Sequence, residues 1–138
     1  MNNARRIVLL AVKPVYAQKI KVGEKTLELR RTAPIASVGD IIVIYESSPI
    51  QRVTAYCEIK DILSDTPDLL WEVARDTACI DKADYNKYFR GKKIAHGLVV
   101  KNIVLLKEPK KLAEIWDRNY VPQNYCYLQE KEFERVIQ

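Results

Sequence analysis

Lys25, Glu28 and Arg30 stand close together in G-E-K-T-L-E-L-R, a stretch whose alternate places are filled by leucines. An ammonium, a carboxylate and a guanidinium at this spacing are groups that nucleotide chemistry uses. A carboxylate accepts hydrogen bonds from an exocyclic amine such as that of cytosine. Lysine and arginine meet phosphate, and the planar guanidinium also stacks on a base. The plainer reading has Glu28 and Arg30 pairing with each other on a solvated strand, a contact worth at most ~1 kcal/mol when exposed. A period of two puts Leu27 and Leu29 on one face and Glu28 and Arg30 on the other, with Lys25 where the strand begins. What the polar face meets decides between the readings.

Other reactive side chains carry weaker signals. His96 is the sole histidine and reads first as a satisfied strand residue; alone it makes no zinc site. Cys57 alternates into the apolar face of V-T-A-Y-C-E-I and reads as a small core residue. Tyr45, Ser47 and Ser48 sit at a strand exit where they could reach a cleft, and Tyr125 and Tyr127 could offer a stacking face. For each pair the alternative is tyrosines closing the end of a barrel. Lys92-Lys93 and Lys110-Lys111 read as solvated turns, and Trp71 and Trp116 as core.

These residues need elements to hold them. R-R-I-V-L-L-A-V-K reads as a strand, followed by a short helix opened by Pro14 and stopped by Gly23. Thr26–Arg31 is the charged strand. I-I-V-I-Y is a buried strand, and Val53 to Lys60 a half-buried one. Ser64, Asp65 or Thr66 caps a helix, and Asp81 or Lys82 starts a second that Gly91 ends. These two helices, about 66–90, read as an insert plugging one barrel end, because the second is not basic enough for a DNA-reading helix. Ile94–Leu106 is a long strand, bent at Gly97 and broken by Pro109. P-Q-N-Y-C-Y-L is extended, and a polar helix at about 129–138 closes the chain and frays. The expected fold is α+β: a small, mostly antiparallel β-barrel with flanking helices, one domain over residues 1–138.

Composition bounds the classes. The chain has 138 residues, 48% of them hydrophobic and 30% charged, and needs neither disulfide nor metal to fold. Three widely spaced cysteines without a C-x-x-C pair fit reduced thiols in a cytoplasmic protein. No apolar run is long enough to span a membrane, and Lys13-Pro14 cuts off the N-terminal run that a signal peptide would need. The formal charge is +5; residues 1–60 hold 10 Lys and Arg against 5 Asp and Glu, and residues 61–138 hold 13 against 13. The whole excess therefore lies beside the charged strand, which favours polyanionic partners.

G-E-K-T-L-E-L-R fits G-x-K-x-x-E-x-R, and the chain resembles the ASCH family, a branch of the PUA-like β-barrels. L-L-A-V-K-P-V-Y-A-Q-K-I, I-I-V-I-Y-E-S-S-P and P-Q-N-Y-C-Y-L extend the resemblance, to the subgroup labelled predicted transcriptional regulators. It implies a cleft between the first helix and the sheet that binds RNA or a modified nucleoside. Lys25, Glu28 and Arg30 line it, and Gly23 makes the tight turn. Lys13 stands just before the helix N-terminus, where backbone N–H groups favour an anion; it reads equally as a phosphate contact or as a stem packed on the sheet. No cofactor is implied, and a binding module is favoured over an enzyme. The alternative is a metal-independent hydrolase in the same cleft. A ribonuclease would use Lys25 for phosphate charge and Glu28 as base. An N4-acetylcytidine-type amidohydrolase would keep Lys25 but lacks its threonine, whose place Glu28 takes. A protein partner meeting the insert is a further expectation.

Overall fold

The computed structural model describes residues 4–138; residues 1–3 of the expected domain lie outside the described part. The order is β1 (Ile7–Val12), α1 (Pro14–Lys21), β2 (Leu27–Arg30), β3 (Ile41–Glu46), β4 (Arg52–Asp65), α2 (Pro67–Thr77), α3 (Lys82–Tyr88), β5 (Ala95–Lys110), a 3₁₀ turn (Leu112–Glu114), β6 (Tyr125–Leu128) and α4 (Glu130–Ile137). Six strands form one mixed sheet, β2-β5-β4-β3-β1-β6, which curls into a half-barrel. β1 and β3 run parallel, and the other pairings are antiparallel. A parallel pair needs a crossover, and the segment carrying α1 and β2 supplies it. The charged strand is thereby carried to the far end of the sheet.

Alternation sorts the side chains into cores. Val8, Leu10, Ile42, Ile44, Cys57 and Leu98 face α1, which buries Ala17 and Ile20 against them. Ile7, Leu9, Val43, Tyr45 and Val53 face the other way, onto Trp116, Phe133 and Val136. Leu27 and Leu29 join a third core with Leu70, Ala74, Tyr85 and Phe89 of α2 and α3. The two-helix insert thus covers the β2 end of the sheet. Thr66 and Asp81 cap its helices, accepting hydrogen bonds from Leu69 N at 3.3 Å and Asp84 N at 2.8 Å.

Three expectations need correction. β5 does not stop before Pro109 but runs to Lys110, paired with Val53. Repeated register shifts between β4 and β5 let the strand carry a proline without a ladder N–H there. Tyr45 does not point toward the β2 side. Every residue of β3 is buried, so its apolar run has no period from which to read its faces, and Tyr45 falls on the face of Ile41 and Val43. The last helix is not a fraying tail, since Phe133 and Val136 are core residues and Arg118 donates to the buried Glu132 at 2.8 Å. At Gly97 the Leu27 side chain leaves no room for another: a Cβ there would lie 2.5 Å from Leu27 Cδ1.

Candidate nucleic-acid interface

β2 is an edge strand. Its register sets Leu27 opposite Val99, Glu28 opposite Leu98, Leu29 opposite Gly97 and Arg30 opposite His96. The Val100 N–H donates to Thr26 O at 3.0 Å, which makes Glu28 and Arg30 the other hydrogen-bonded pairs of the ladder. The main-chain groups of Leu27 and Leu29 therefore point off the sheet. Side chains cover their carbonyls: Lys25 Nζ donates to Leu27 O at 2.9 Å, and the Tyr88 hydroxyl donates to Leu29 O at 3.2 Å.

Lys25 reaches that position through the turn after α1. Gly23 adopts φ +82°, a left-handed conformation that costs glycine no steric penalty. Glu24 and Lys25 both donate their N–H to Lys19 O. The lysine then turns inward until 3% of it is exposed. Its ammonium donates to Ala78 O at 2.7 Å, lies 3.6 Å from Glu28 Oε1, and sits 5.2 Å from the centre of the Tyr16 ring. Burial pulls its pKa below the ordinary lysine value, and Glu28 opposes that fall.

Glu28 stands between two cations. Arg30 Nη1 donates to its Oε2 at 3.3 Å, also to Ala11 O at 3.4 Å, while Nη2 donates to Asn124 O at 3.3 Å. Ala11 lies in β1, and Asn124 immediately precedes β6 at the opposite edge of the sheet. One guanidinium thus ties the two ends of the open half-barrel together. Glu28 and Arg30 are 6% and 7% exposed, so the Lys25–Glu28–Arg30 chain is buried rather than a solvated surface pair.

A cavity of about 670 Å³ opens over this chain, floored by Glu28, Leu29 and Arg30. Lys13 and Tyr16 of the α1 end form one wall, and Asp84, Lys87 and Tyr88 of α3 form the other. Arg31, Ser47, Gln123 and Asn124 contribute to the rim. The volume suits a nucleotide-sized ligand. Four cationic side chains, Lys13, Arg30, Arg31 and Lys87, face two carboxylates, Glu28 and Asp84. Burial pushes the Tyr16 hydroxyl's pKa up, helped by Asp84 and Glu28; it also raises that of Tyr88, against the pull of Arg30. Both phenols stay protonated donors at neutral pH.

The residues singled out in the sequence fall into three groups. Lys13, Glu28, Arg30 and Ser47 meet on the cavity. Gly23 and Lys25 lie behind it. Tyr45 faces the opposite core, Ser48 sits in the exposed turn before Pro49, and Tyr125 packs on the first core with its hydroxyl donating to Ala33 O at 3.3 Å. Tyr16, Arg31, Asp84, Lys87, Tyr88, Gln123 and Asn124 line the cavity without having been marked as site residues by the sequence. A signal existed for Asn124, which lies in P-Q-N-Y-C-Y-L, but none for α3, whose approach to β2 is a tertiary fact. His96 is half-buried with Nδ1 2.7 Å from Ser64 Oγ. Among the described residues, no group of three or more His, Cys, Asp or Glu is placed to hold a metal, and no helix is long and apolar enough to cross a membrane.

Comparison with known proteins gives concordant results. The ASCH domain profile matches residues 10–134. An ASCH domain-containing ribonuclease of Zymomonas mobilis is 24% identical over 135 residues, 96% of this chain and 91% of that protein. The crystal structure of ASCH from Zymomonas mobilis superposes with a TM-score of 0.90 over 97% of this chain and 95% of that one, at 24% identity. Large ribosomal subunit protein uL22 of Ureaplasma parvum is 27% identical over 88% of this chain but only 39% of its own length.

Proposed function

The chain belongs to the ASCH-domain family, and from that premise we propose that it binds RNA in the cavity over Glu28 and Arg30 and cleaves it there. The observation carrying the proposal is the buried Glu28 carboxylate, held on a cavity floor between two cations and ringed by Lys13, Arg31 and Lys87. Support also comes from the likeness to a protein named a ribonuclease. In this reading Lys13, Arg31 and Lys87 draw in the phosphate backbone, an attraction that weakens with salt. Arg30 faces the scissile phosphate, and Tyr16 and Tyr88 offer aromatic surface to the flanking bases. Glu28 takes the proton of the attacking hydroxyl as that oxygen bonds to phosphorus. The bond from phosphorus to the 5′ oxygen breaks, and solvent protonates the leaving oxygen.

Lys25 acts differently from the role its place in the motif suggests. Its ammonium is spent on two carbonyls and is not on the cavity wall. It sets the position and charge of Glu28 from behind, and amide hydrolysis through Lys25 gains no support from that placement. A second reading, an RNA-binding module without turnover, is favoured by one feature: both Glu28 oxygens already lie against cations. The deciding experiment incubates the purified chain with end-labelled single-stranded RNAs, following binding and fragment formation together. Cleavage lost in an Arg30→Gln protein that urea unfolding shows to be folded supports the ribonuclease. Salt-sensitive binding without fragments supports the module, and neither behaviour in the wild type sinks both.

A further inference from the structure

The edge of β2 turns main-chain groups toward the cavity. In an antiparallel ladder a residue outside the hydrogen-bonded pairs turns both its N–H and its C=O away from the partner strand. Leu29 is such a residue, set opposite Gly97 and flanked by the hydrogen-bonded pairs of Glu28 and Arg30. Its carbonyl is taken by the Tyr88 hydroxyl at 3.2 Å. The carbonyl of Leu27, the other outward residue, is taken by Lys25 at 2.9 Å. Of the two outward N–H groups, those of Leu27 and Leu29, neither finds an acceptor among the described residues, and only that of Leu29 lies at the cavity. It sits on the cavity floor between Glu28 and Arg30, while the Leu29 side chain is buried in the third core and cannot swing the main chain aside. A backbone N–H on a cavity floor without an acceptor in the chain is free to bond water or a ligand that enters the cavity.

We propose that the Leu29 N–H is the oxyanion donor of this site: with Arg30 it takes a non-bridging oxygen of a phosphate seated beside Glu28. The Leu29 carbonyl, which would repel an anion, is already engaged by Tyr88, and the cations Lys13, Arg30, Arg31 and Lys87 outnumber the Glu28 and Asp84 carboxylates around the cavity. Rigid main-chain donors aimed at developing charge are what oxyanion holes are built from. Tyr88 is then a positioning residue, since its hydrogen bond to Leu29 O fixes the direction of the peptide plane on that side. The assignment deepens the ribonuclease reading and rests on it for the chemistry, but the phosphate-binding half can be tested without any turnover.

Amide NMR of the ¹⁵N-labelled full chain during titration with inorganic phosphate reads the donor directly. The expected result is a saturable downfield shift of the Leu29 amide proton, larger than that of any other β2 amide and lost in Arg30→Gln. Saturation with the Leu29 amide unmoved, or no saturation at all, overturns the proposal. Replacing the Leu29 amide by an ester, through incorporation of the leucine α-hydroxy acid, deletes this N–H while keeping the buried side chain. If the wild type cleaves RNA, the ester form should be slower by roughly 100-fold, as for loss of one oxyanion donor. An unchanged rate overturns the assignment. Tyr88→Phe should lower kcat more than it raises KM, and a change confined to KM would remove Tyr88 from the positioning role. A Leu29 shift in a protein that cleaves no RNA leaves the phosphate donor standing and removes the ribonuclease reading alone.

Discussion

Replacing Lys25 by methionine keeps most of the side chain's length and removes its charge and its donors. Two effects compete. Burial already pulls the Lys25 pKa below the ordinary lysine value, even with Glu28 beside it, so deleting the charge recovers part of the cost of keeping an ion out of water. Against this, the Leu27 and Ala78 carbonyls lose donors at 2.9 and 2.7 Å, and Glu28 keeps Arg30 alone. An unsatisfied buried carbonyl costs ~1–3 kcal/mol, and breaking one side of a buried ion pair costs ~3–5 kcal/mol. These figures overlap, and with the recovered desolvation the net loss is ~3 kcal/mol, a large share of the ~5–15 kcal/mol that holds a domain folded. Urea unfolding reads it as a lower midpoint at unchanged slope, and a thermal scan as a fall of roughly 9 °C. Because Lys25 and Glu28 touch, adding Glu28→Gln should cost at least ~1 kcal/mol less than the two single losses summed. A Lys25→Met protein as stable as the wild type, or strict additivity in the double variant, would refute the reasoning. The pH dependence gives an independent sign: a lysine whose folded pKa lies below its unfolded one makes stability rise with pH between the two values, and Lys25→Met should lack that rise.

Further outcomes follow from other parts of the fold. Burial pushes the Cys57 thiol up to about 12 from 9.0, so its contribution is complete below the unfolded value and lost as pH climbs through that window. Wild type should lose ~2 kcal/mol on this account by about pH 10.5 and ~4 kcal/mol by pH 12; Cys57→Ala should lack this loss, measured by urea midpoints across the alkaline range. Gly97→Ala forces a Cβ to 2.5 Å from Leu27 Cδ1, an overpacking worth ~1–3 kcal/mol that Leu27→Ala in the same chain should largely relieve. Arg30→Lys keeps the charge but loses the fork joining Glu28, Ala11 O and Asn124 O. Amide exchange in β6 should be faster than in the wild type while that in β4 is unchanged, and a β6 rate equal to the wild type's would argue against the seam.

The sequence made the elements legible wherever period and punctuation agreed. The alternation in Thr26–Arg31 put Glu28 and Arg30 on one face, as observed, and Pro14 with Gly23 bounded α1. The six buried residues of β3 show no such period, so the facing of Tyr45 was not readable. Lys25 is the clearest limit. Its burial depends on Ala78 O, which stands 53 residues away, and nothing local marks a motif lysine as a buried donor. Arg30 was legible as a cation but not as the tie between sheet edges, because that role exists only once β1 and β6 arrive. Tyr88 and Lys87 were read as part of a plug, which they are, and they also form a wall of the cavity because the plug covers β2.

The role of Glu28 is tested most directly by a single-turnover comparison of wild type and Glu28→Gln on one end-labelled RNA, with affinity measured on the same preparations. Glutamine keeps the shape of the side chain and removes its ability to take a proton. If Glu28 is the base, Glu28→Gln binds RNA within a few-fold of wild type while the cleavage step slows by roughly 100-fold or more. Cleavage at the wild-type rate in Glu28→Gln would contradict this and return Glu28 to the structural role of holding Lys25 and Arg30 apart.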